Sequence, residues 1–170
     1  MTRPAQVPAT RTPVHYWLMK SEPAECSIDH LAAAPGQAVA WVGVRNYQAR
    51  NFMRDAMQPG DGVLFYHSSC AEPGVAGLAT VASSAYPDET QFDPDSPYFD
   101  PQARRVEPRW LQVDVKLTAK TRLLALREMR QRPELATMGL LKPGNRLSIT
   151  PVTAVEWAAV TQLLQSAPAA

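Results

Sequence analysis

Cysteine is scarce in this chain, because only Cys26 and Cys70 occur and they lie far apart. Their spacing matches neither a Cys-x-x-Cys zinc site nor a disulfide framework, so we expect two reduced thiols with a structural role. Long apolar runs are absent as well, since no segment approaches the ~18 residues that a membrane span requires. Residues 1–13 also lack the apolar stretch of a signal peptide. We therefore expect a cytoplasmic protein that does not bind membranes.

An excess of one charge is also lacking, because 17 basic residues stand against 16 acidic residues and the net charge is +1. This balance disfavours a protein that coats DNA by bulk electrostatics, so any binding of nucleic acid must depend on a local patch. The charges are unevenly placed along the chain. Residues 86–100 carry five carboxylates and no basic residue, whereas residues 104–132 carry nine basic residues. A solvated surface that keeps the protein soluble explains this pattern equally well.

The length and the composition are those of one folded domain. Of the 170 residues, 45% are hydrophobic and 19% are charged, as is typical of globular proteins. The proline-rich residues 1–13 are predicted to be a disordered leader, and residues 166–170 a tail. The single domain is expected to occupy residues 14–165. The sequence leaves the oligomeric state open, with a monomer as the working assumption.

Short strands separated by small helices predict an α+β domain built on a mixed, partly closed sheet. The clearest strand covers residues 111–118, where apolar and polar side chains alternate. Residues 123–129 are predicted to be helical, and residues 87–108 to form a long ordered loop. No Gly-x-Gly-x-x-Gly or Walker loop follows a strand, so we predict no nucleotide cofactor.

Two longer helices are marked by their polar and apolar positions. From Val44 the apolar side chains of Ala49, Phe52 and Met53 gather on one face at 100° per residue. The final helix begins at a capping box formed by Thr153 and Glu156 and carries an apolar stripe that includes Val155.

Several segments resemble the EVE domain family. They are YWLMKSEP at residues 16–23, GVRNYQARNF at 43–52, LFYHS at 64–68 and DPDSPYFD at 93–100. The Arg109-Trp110 pair and LSITPVT at residues 147–153 resemble the family too. The match extends in order over nearly the whole of residues 16–164, and its motifs are long. It is therefore a specific resemblance.

The resemblance implies a PUA-like pseudobarrel flanked by short helices, whose concave face holds a flipped, modified base. Modified cytosines are the implied ligands in DNA, and RNA is an equally conceivable partner. The chain departs from the commoner family pattern at Val42, where relatives often carry an acidic residue. If the residue at this position helps to set the base preference, the family pattern does not predict which base this chain prefers.

A base pocket needs flat rings for stacking, hydrogen-bonding groups for the base edge and cations for phosphates. The candidate stacking walls are Trp17, Trp41, Tyr47, Tyr66 and Trp110, although core packing accounts equally well for Trp17 and Trp110. The full set predicted to contact the base is Lys20, Ser21, Glu22, Trp41, Val44, Asn46, Tyr47, Asn51, Tyr66, His67, Ser68, Trp110 and Ser148. The residues predicted to contact phosphate are Arg45, Arg50 and Arg54, because a guanidinium group grips phosphate oxygens in a fork.

Other roles for these residues stay open from sequence alone. Asn46 also suits the N-cap of the helix that follows it, and His67 also suits packing at the end of a strand. Glu22 and His67 together could perform acid-base chemistry on a nucleoside, but no nucleophile elbow or metal-ligand spacing accompanies them. We therefore predict no enzyme, no metal and no catalytic residue.

Two further functions remain as alternatives to a reader of modified bases. A PUA-like domain can act as a structural module that binds transfer or ribosomal RNA, by the same resemblance. The acidic residues 87–100 could instead bind a protein partner.

Overall fold

The computed structural model describes residues 14–168, and the strands and helices below lie within that range. The strands are β1 (Tyr16–Ser21), β2 (Ala38–Ala40), β3 (Gly62–His67), β4 (Gly74–Val81), β5 (Tyr86–Pro87), β6 (Leu111–Gln112), β7 (Asp114–Ala125) and β8 (Ile149–Val152). The helices are α1 (Pro23–Cys26), α2 (Ile28–Ala33), α3 (Tyr47–Asp55), α4 (Leu126–Met129) and α5 (Ala154–Gln165). The predicted leader, residues 1–13, and the last two residues of the predicted tail lie outside the described residues.

Six of these strands form one mixed sheet in the order β2-β7-β4-β3-β1-β8. β1 and β3 run parallel, whereas the other neighbouring strands run antiparallel. β5 and β6 form a separate two-stranded ribbon. The mixed sheet with short helices confirms the predicted α+β, PUA-like architecture, and the outer strands β2 and β8 are not paired with each other.

Two cores cover the two faces of this sheet. In β1 the side chains of Trp17 and Met19 enter one core, and Leu18, between them, enters the other. Phe65 and Leu64 divide between the same two cores in β3. Central strands covered on both faces read as continuous apolar runs, which explains why these two segments lack alternation in the sequence.

The helices α2 and α5 begin at side-chain caps. The Oγ of Ser27 accepts the N–H of His30 at the start of α2, and Thr153 and Glu156 form the predicted capping box of α5. The predicted apolar face of α3 is confirmed, because Ala49 and Met53 are buried. The predicted stripe of α5 is wrong at Val155, which is 73% exposed.

The predicted helix over residues 123–129 is also wrong in its first half. β7 continues through Ala125 because Leu124 and Ala125 pair with Val75 and Gly74 of β4, so that only α4 is helical. Pairing between strands whose residues lie about fifty positions apart in the sequence overrides the local helical preference here. Gln112, on the side predicted to face water, is 7% exposed.

None of the helices in the described part of the chain combines the length and the apolar character needed to cross a bilayer. The location of the protein in the cell stays a prediction.

Candidate functional site

A pocket of about 800 Å³ opens beside the carboxyl ends of the parallel strands β1 and β3. Its volume lies within the range of ~300–1,000 Å³ that is common for small-molecule sites. Five parts of the chain meet there: the end of β1 with α1 and α2, the end of β2 with the residues that follow it, the residues that follow β3, the loop of residues 88–100, and the segment before β8. Seven of the residues predicted to contact a base line it, namely Lys20, Ser21, Glu22, Trp41, Val44, Ser68 and Ser148.

Trp41 forms a fixed aromatic wall of this pocket. Its backbone N–H donates to the carbonyl of Val113 at 2.8 Å, which continues the pairing of β2 with β7 by one residue. Its ring meets Phe65 edge to face, with centroids 5.4 Å apart, and the residue is 7% exposed. Core packing on one side and the pocket on the other leave the ring little freedom to move.

Tyr98 supplies a second aromatic wall from the loop of residues 88–100. Its hydroxyl donates to Oε2 of Glu25 in α1 at 2.5 Å. Burial and this hydrogen bond raise the pKa of Tyr98 to about 12, so the hydroxyl remains a donor near neutral pH. The ring packs on Gly43, where a Cβ atom would lie 2.6 Å from the ring and φ is +86°. Only glycine permits this close approach.

Arg45 holds the Tyr98 loop in place. Its Nη1 donates to Oδ2 of Asp88 at 3.0 Å, and its Nε and Nη2 donate to the carbonyl oxygen of Tyr98 at 3.0 and 2.7 Å. Asp88 is fully buried, and burial alone would raise its pKa. Hydrogen bonds from Thr90, from the N–H of Gly43 and from Arg45 outweigh burial and lower that pKa. The carboxylate therefore stays charged in the folded protein.

Four of the polar side chains predicted to contact the base keep free hydrogen-bonding capacity in the pocket. Within residues 14–168, the side chains of Lys20, Glu22, Ser68 and Ser148 make no hydrogen bond or ion pair. Partial burial lowers the pKa of the Lys20 ammonium group. The Oγ of Ser21, by contrast, donates to the carbonyl of Cys26 at 2.7 Å. The pocket thus presents a donor-only group, an acceptor-only group and two hydroxyls to a ligand.

The polar residues predicted on α3 lie outside the pocket and bind within the protein. Asn46 is the N-cap of α3, since its Oδ1 accepts the N–H of Ala49 at 3.1 Å. Asn51 accepts from Nη2 of Arg50 at 2.8 Å, while Nη1 of Arg50 donates to the carbonyl of Arg109 at 3.0 Å. Arg54 forms an exposed ion pair with Asp55 at 2.8 Å.

The remaining predicted residues are placed elsewhere too. Tyr47 is 52% exposed and lies against Trp110 with ring centroids 4.9 Å apart, and neither lines the pocket. Tyr66 is buried in the core that α5 covers. His67 caps α2, because its Nε2 accepts the N–H of Ile28 at 3.0 Å.

The pocket also contains residues that the sequence did not single out. They include Glu25, Cys26, Val39, Tyr98 and Arg146. Tyr98 lies in DPDSPYFD, one of the segments that resemble the EVE family, so that resemblance could have pointed to Tyr98 as a site residue. The segment before β8 offered a similar signal for Arg146, since it adjoins the motif at residues 147–153.

The fold and the pocket define a PUA-like α+β domain with a ligand-sized cavity. The EVE domain model matches residues 15–163, and the chain belongs to the EVE domain family. It is 42% identical to human thymocyte nuclear protein 1 over 90% of this chain and 75% of that protein.

Solved structures with the same fold include two that differ widely in source. A hypothetical protein from Leishmania major is 49% identical, with a TM-score of 0.85 over 90% of this chain and 96% of the other. Human THYN1, solved in complex with DNA that contains 5-methylcytosine, is 41% identical, with a TM-score of 0.86 over 91% of this chain and 99% of the other.

Proposed function

We propose that this protein binds DNA that carries a modified cytosine, and that it holds the modified base, flipped out of the duplex, in the pocket without catalysis. The observation that carries the proposal is a cavity that joins aromatic walls to polar groups without partners of their own. The complex of human THYN1 with DNA containing 5-methylcytosine supports it, because that protein shares the fold and 41% of its residues with this one.

Trp41 is the principal stacking surface in this proposal. A ring that is packed in advance contributes stacking energy without an entropic cost for ordering it on binding. Base–aromatic stacking contributes about 1–3 kcal/mol per base, so the wall is expected to provide a large part of the affinity for the flipped base. Tyr98 provides the second ring, and its hydroxyl is held by Glu25.

The unpaired polar groups suit the edge of a cytosine. The exocyclic amine of cytosine is a donor, and Glu22 offers an acceptor that no other described residue uses. The ring nitrogen and carbonyl on the same edge are acceptors, and Lys20 offers only donors. Val39, Val44 and Cys26 add an apolar lining that is compatible with a methyl substituent.

The alternative functions receive less support from the contacts. His67 uses Nε2 to cap α2, and burial lowers the pKa of its ring, so its lone pair is already engaged. In the acidic loop, Asp88 binds Arg45, Glu89 binds Arg105 and Asp100 binds Trp110 and Arg109. Asp88 and Asp100 thus hold the loop against the domain and so support the pocket wall.

The test is a titration of matched duplexes that contain cytosine, 5-methylcytosine or another modified cytosine at one position, with the same sequences in RNA. We expect preference for a modified cytosine in DNA. Trp41→Leu keeps an apolar side chain in the core and removes the stacking surface, so that affinity falls about 5- to 140-fold, the equivalent of ~1–3 kcal/mol.

Trp157→Leu is the matched control, because this tryptophan of α5 stacks on Tyr16 and does not line the pocket. Equal affinity of the wild-type protein for modified and unmodified duplexes would overturn the proposal. Preference for the RNA series would instead support the RNA-binding module.

A further inference from the structure

Every arginine that the sequence assigns to phosphate is engaged within the protein. Arg45 binds Asp88 and the carbonyl of Tyr98, and Arg50 binds Asn51 and the carbonyl of Arg109. Arg54 is paired with Asp55. A guanidinium group that already donates in this way must give up those contacts before it can grip a phosphate. The cation that meets the nucleic-acid strand should therefore be sought elsewhere on the pocket rim.

Arg146 is a cation on this rim that remains free. It is exposed, it lines the pocket, and within residues 14–168 its side chain makes no hydrogen bond or ion pair. It lies two residues before Ser148, whose carbonyl accepts the N–H of Lys20 at 2.8 Å. That bond fixes the segment of Arg146 to the end of β1, beside the side chains proposed to contact the base.

The turn that carries Arg146 is ordered by its neighbour Asn145. The Nδ2 of Asn145 donates to the carbonyl of Gly139 at 2.6 Å, and its Oδ1 accepts the N–H of Leu147 at 3.0 Å. The turn also contains Gly144 with φ of +75°. Both ends of the amide thus bind backbone on either side of Arg146, so the backbone of this residue is held while its side chain is exposed.

A base that enters a pocket leaves its sugar and its two phosphates at the rim. The planar guanidinium of arginine matches the geometry of phosphate oxygens, and an exposed arginine without partners loses no internal contact when it binds one. We infer that Arg146 is the phosphate-binding residue of this site, and that it contacts the backbone of the strand whose base occupies the pocket. The inference rests on the proposed function and adds to it the point where the strand crosses the rim.

The experiment measures the affinity of the full-length protein for one duplex between 50 and 200 mM salt, for the wild type and for Arg146→Ala. Each phosphate contact on B-DNA contributes about 0.9 to the slope of log K against log salt. We expect the slope to decrease by about that amount, so that the ratio of wild-type to variant affinity shrinks about 3.5-fold over this range. Arg146→Lys should keep the slope, because it keeps the charge.

Two further variants make the result specific. Arg130→Ala removes the same charge from an exposed residue that does not line the pocket, and its slope is expected to match the wild type. Arg54→Ala tests the prediction from sequence that Arg54 contacts phosphate, and its slope is expected to match the wild type because Arg54 is paired with Asp55. A normal slope in Arg146→Ala, or equal decreases in Arg146→Ala and Arg130→Ala, would overturn the inference. Absence of preference for modified cytosine in the wild type concerns the proposed function alone, because the slope is measurable on unmodified DNA.

Discussion

The pocket and the region formed by α3 with the loop of residues 88–100 contain similar polar side chains, but they use them in opposite ways. In the pocket, Lys20, Glu22 and Ser148 keep their hydrogen-bonding capacity free within the described residues. In the neighbouring region, Arg45 and Asn46 use their hydrogen-bonding groups within the protein, Arg45 on Asp88 and Asn46 on the first turn of α3. Both regions fall inside the segments that resemble the EVE family, so the resemblance alone does not separate them.

The difference separates ligand-contacting groups from the scaffold that positions them. Arg45 fixes the loop that carries Tyr98, and Asn46 fixes the start of the helix that follows the pocket wall. Substitutions in the scaffold should therefore lower the free energy of unfolding. Substitutions of the polar side chains that are free in the pocket should lower the affinity for DNA and leave the free energy of unfolding unchanged or higher.

The largest effect is expected for Arg45→Met, which leaves the fully buried Asp88 without its cation. Breaking a buried ion pair by removing one partner costs about 3–5 kcal/mol. We expect the free energy of unfolding, measured by urea denaturation, to decrease by about 3 kcal/mol, with weaker base preference because Tyr98 loses its support. Arg105→Met is the control, since its exposed pair with Glu89 should contribute less than about 1 kcal/mol. Similar losses in both variants would show that Arg45 has no special structural role.

Lys20→Met should have the opposite effect, because it should lower the affinity for DNA without lowering the free energy of unfolding. Burial lowers the pKa of Lys20, which shows that the folded protein disfavours its charge, and no described residue compensates it. An apolar side chain of similar length should leave the free energy of unfolding unchanged or increase it. Affinity for modified DNA should fall at least tenfold, because a hydrogen bond from a charged group contributes about 1.5–3 kcal/mol. A variant that loses stability and keeps its affinity would place Lys20 in the scaffold.

A smaller effect is expected at Asn46. Loss of an N-cap side chain costs about 1 kcal/mol, so Asn46→Ala should lower the free energy of unfolding by that amount. Asn46→Asp keeps an acceptor for the N–H of Ala49 and should retain the stability of the wild type. Neither variant should change the preference for the modified base. Loss of preference at full stability would return Asn46 to the residues that contact the base.

The smallest effect is expected for the contribution of His67 to the pH dependence of the free energy of unfolding. Burial lowers the pKa of His67, and the neutral ring accepts the N–H of Ile28. The unfolded state then binds a proton at higher pH than the folded state, so this contribution to stability is fully present above about pH 6.5 and is lost as pH falls. Urea denaturation between pH 8 and 5 should show a steeper decrease for the wild type than for His67→Gln. Parallel curves would mean that His67 does not titrate between the two states.

Local patterns predicted the elements whose signals are local. The cap at Thr153 and the apolar face of α3 follow from side chains within one or two turns. The end of β7 could not be predicted in this way, because its pairing with β4 involves residues distant in sequence. Of the predicted site, the residues near positions 20, 41 and 148 do line one cavity, whereas those on α3 do not.

The sequence by itself determined the family, the start of α5 at its capping box and part of the set of aromatic and polar residues that line the pocket, although it did not single out Tyr98 and Arg146. Only the tertiary structure decided which of those residues are free. Whether an arginine or an asparagine can bind a ligand depends on the carboxylates and carbonyls that folding brings beside it, and for Arg45 those partners lie more than forty residues away. Hydrogen bonds form between neighbours in space, and a pattern in the chain specifies only its neighbours in sequence.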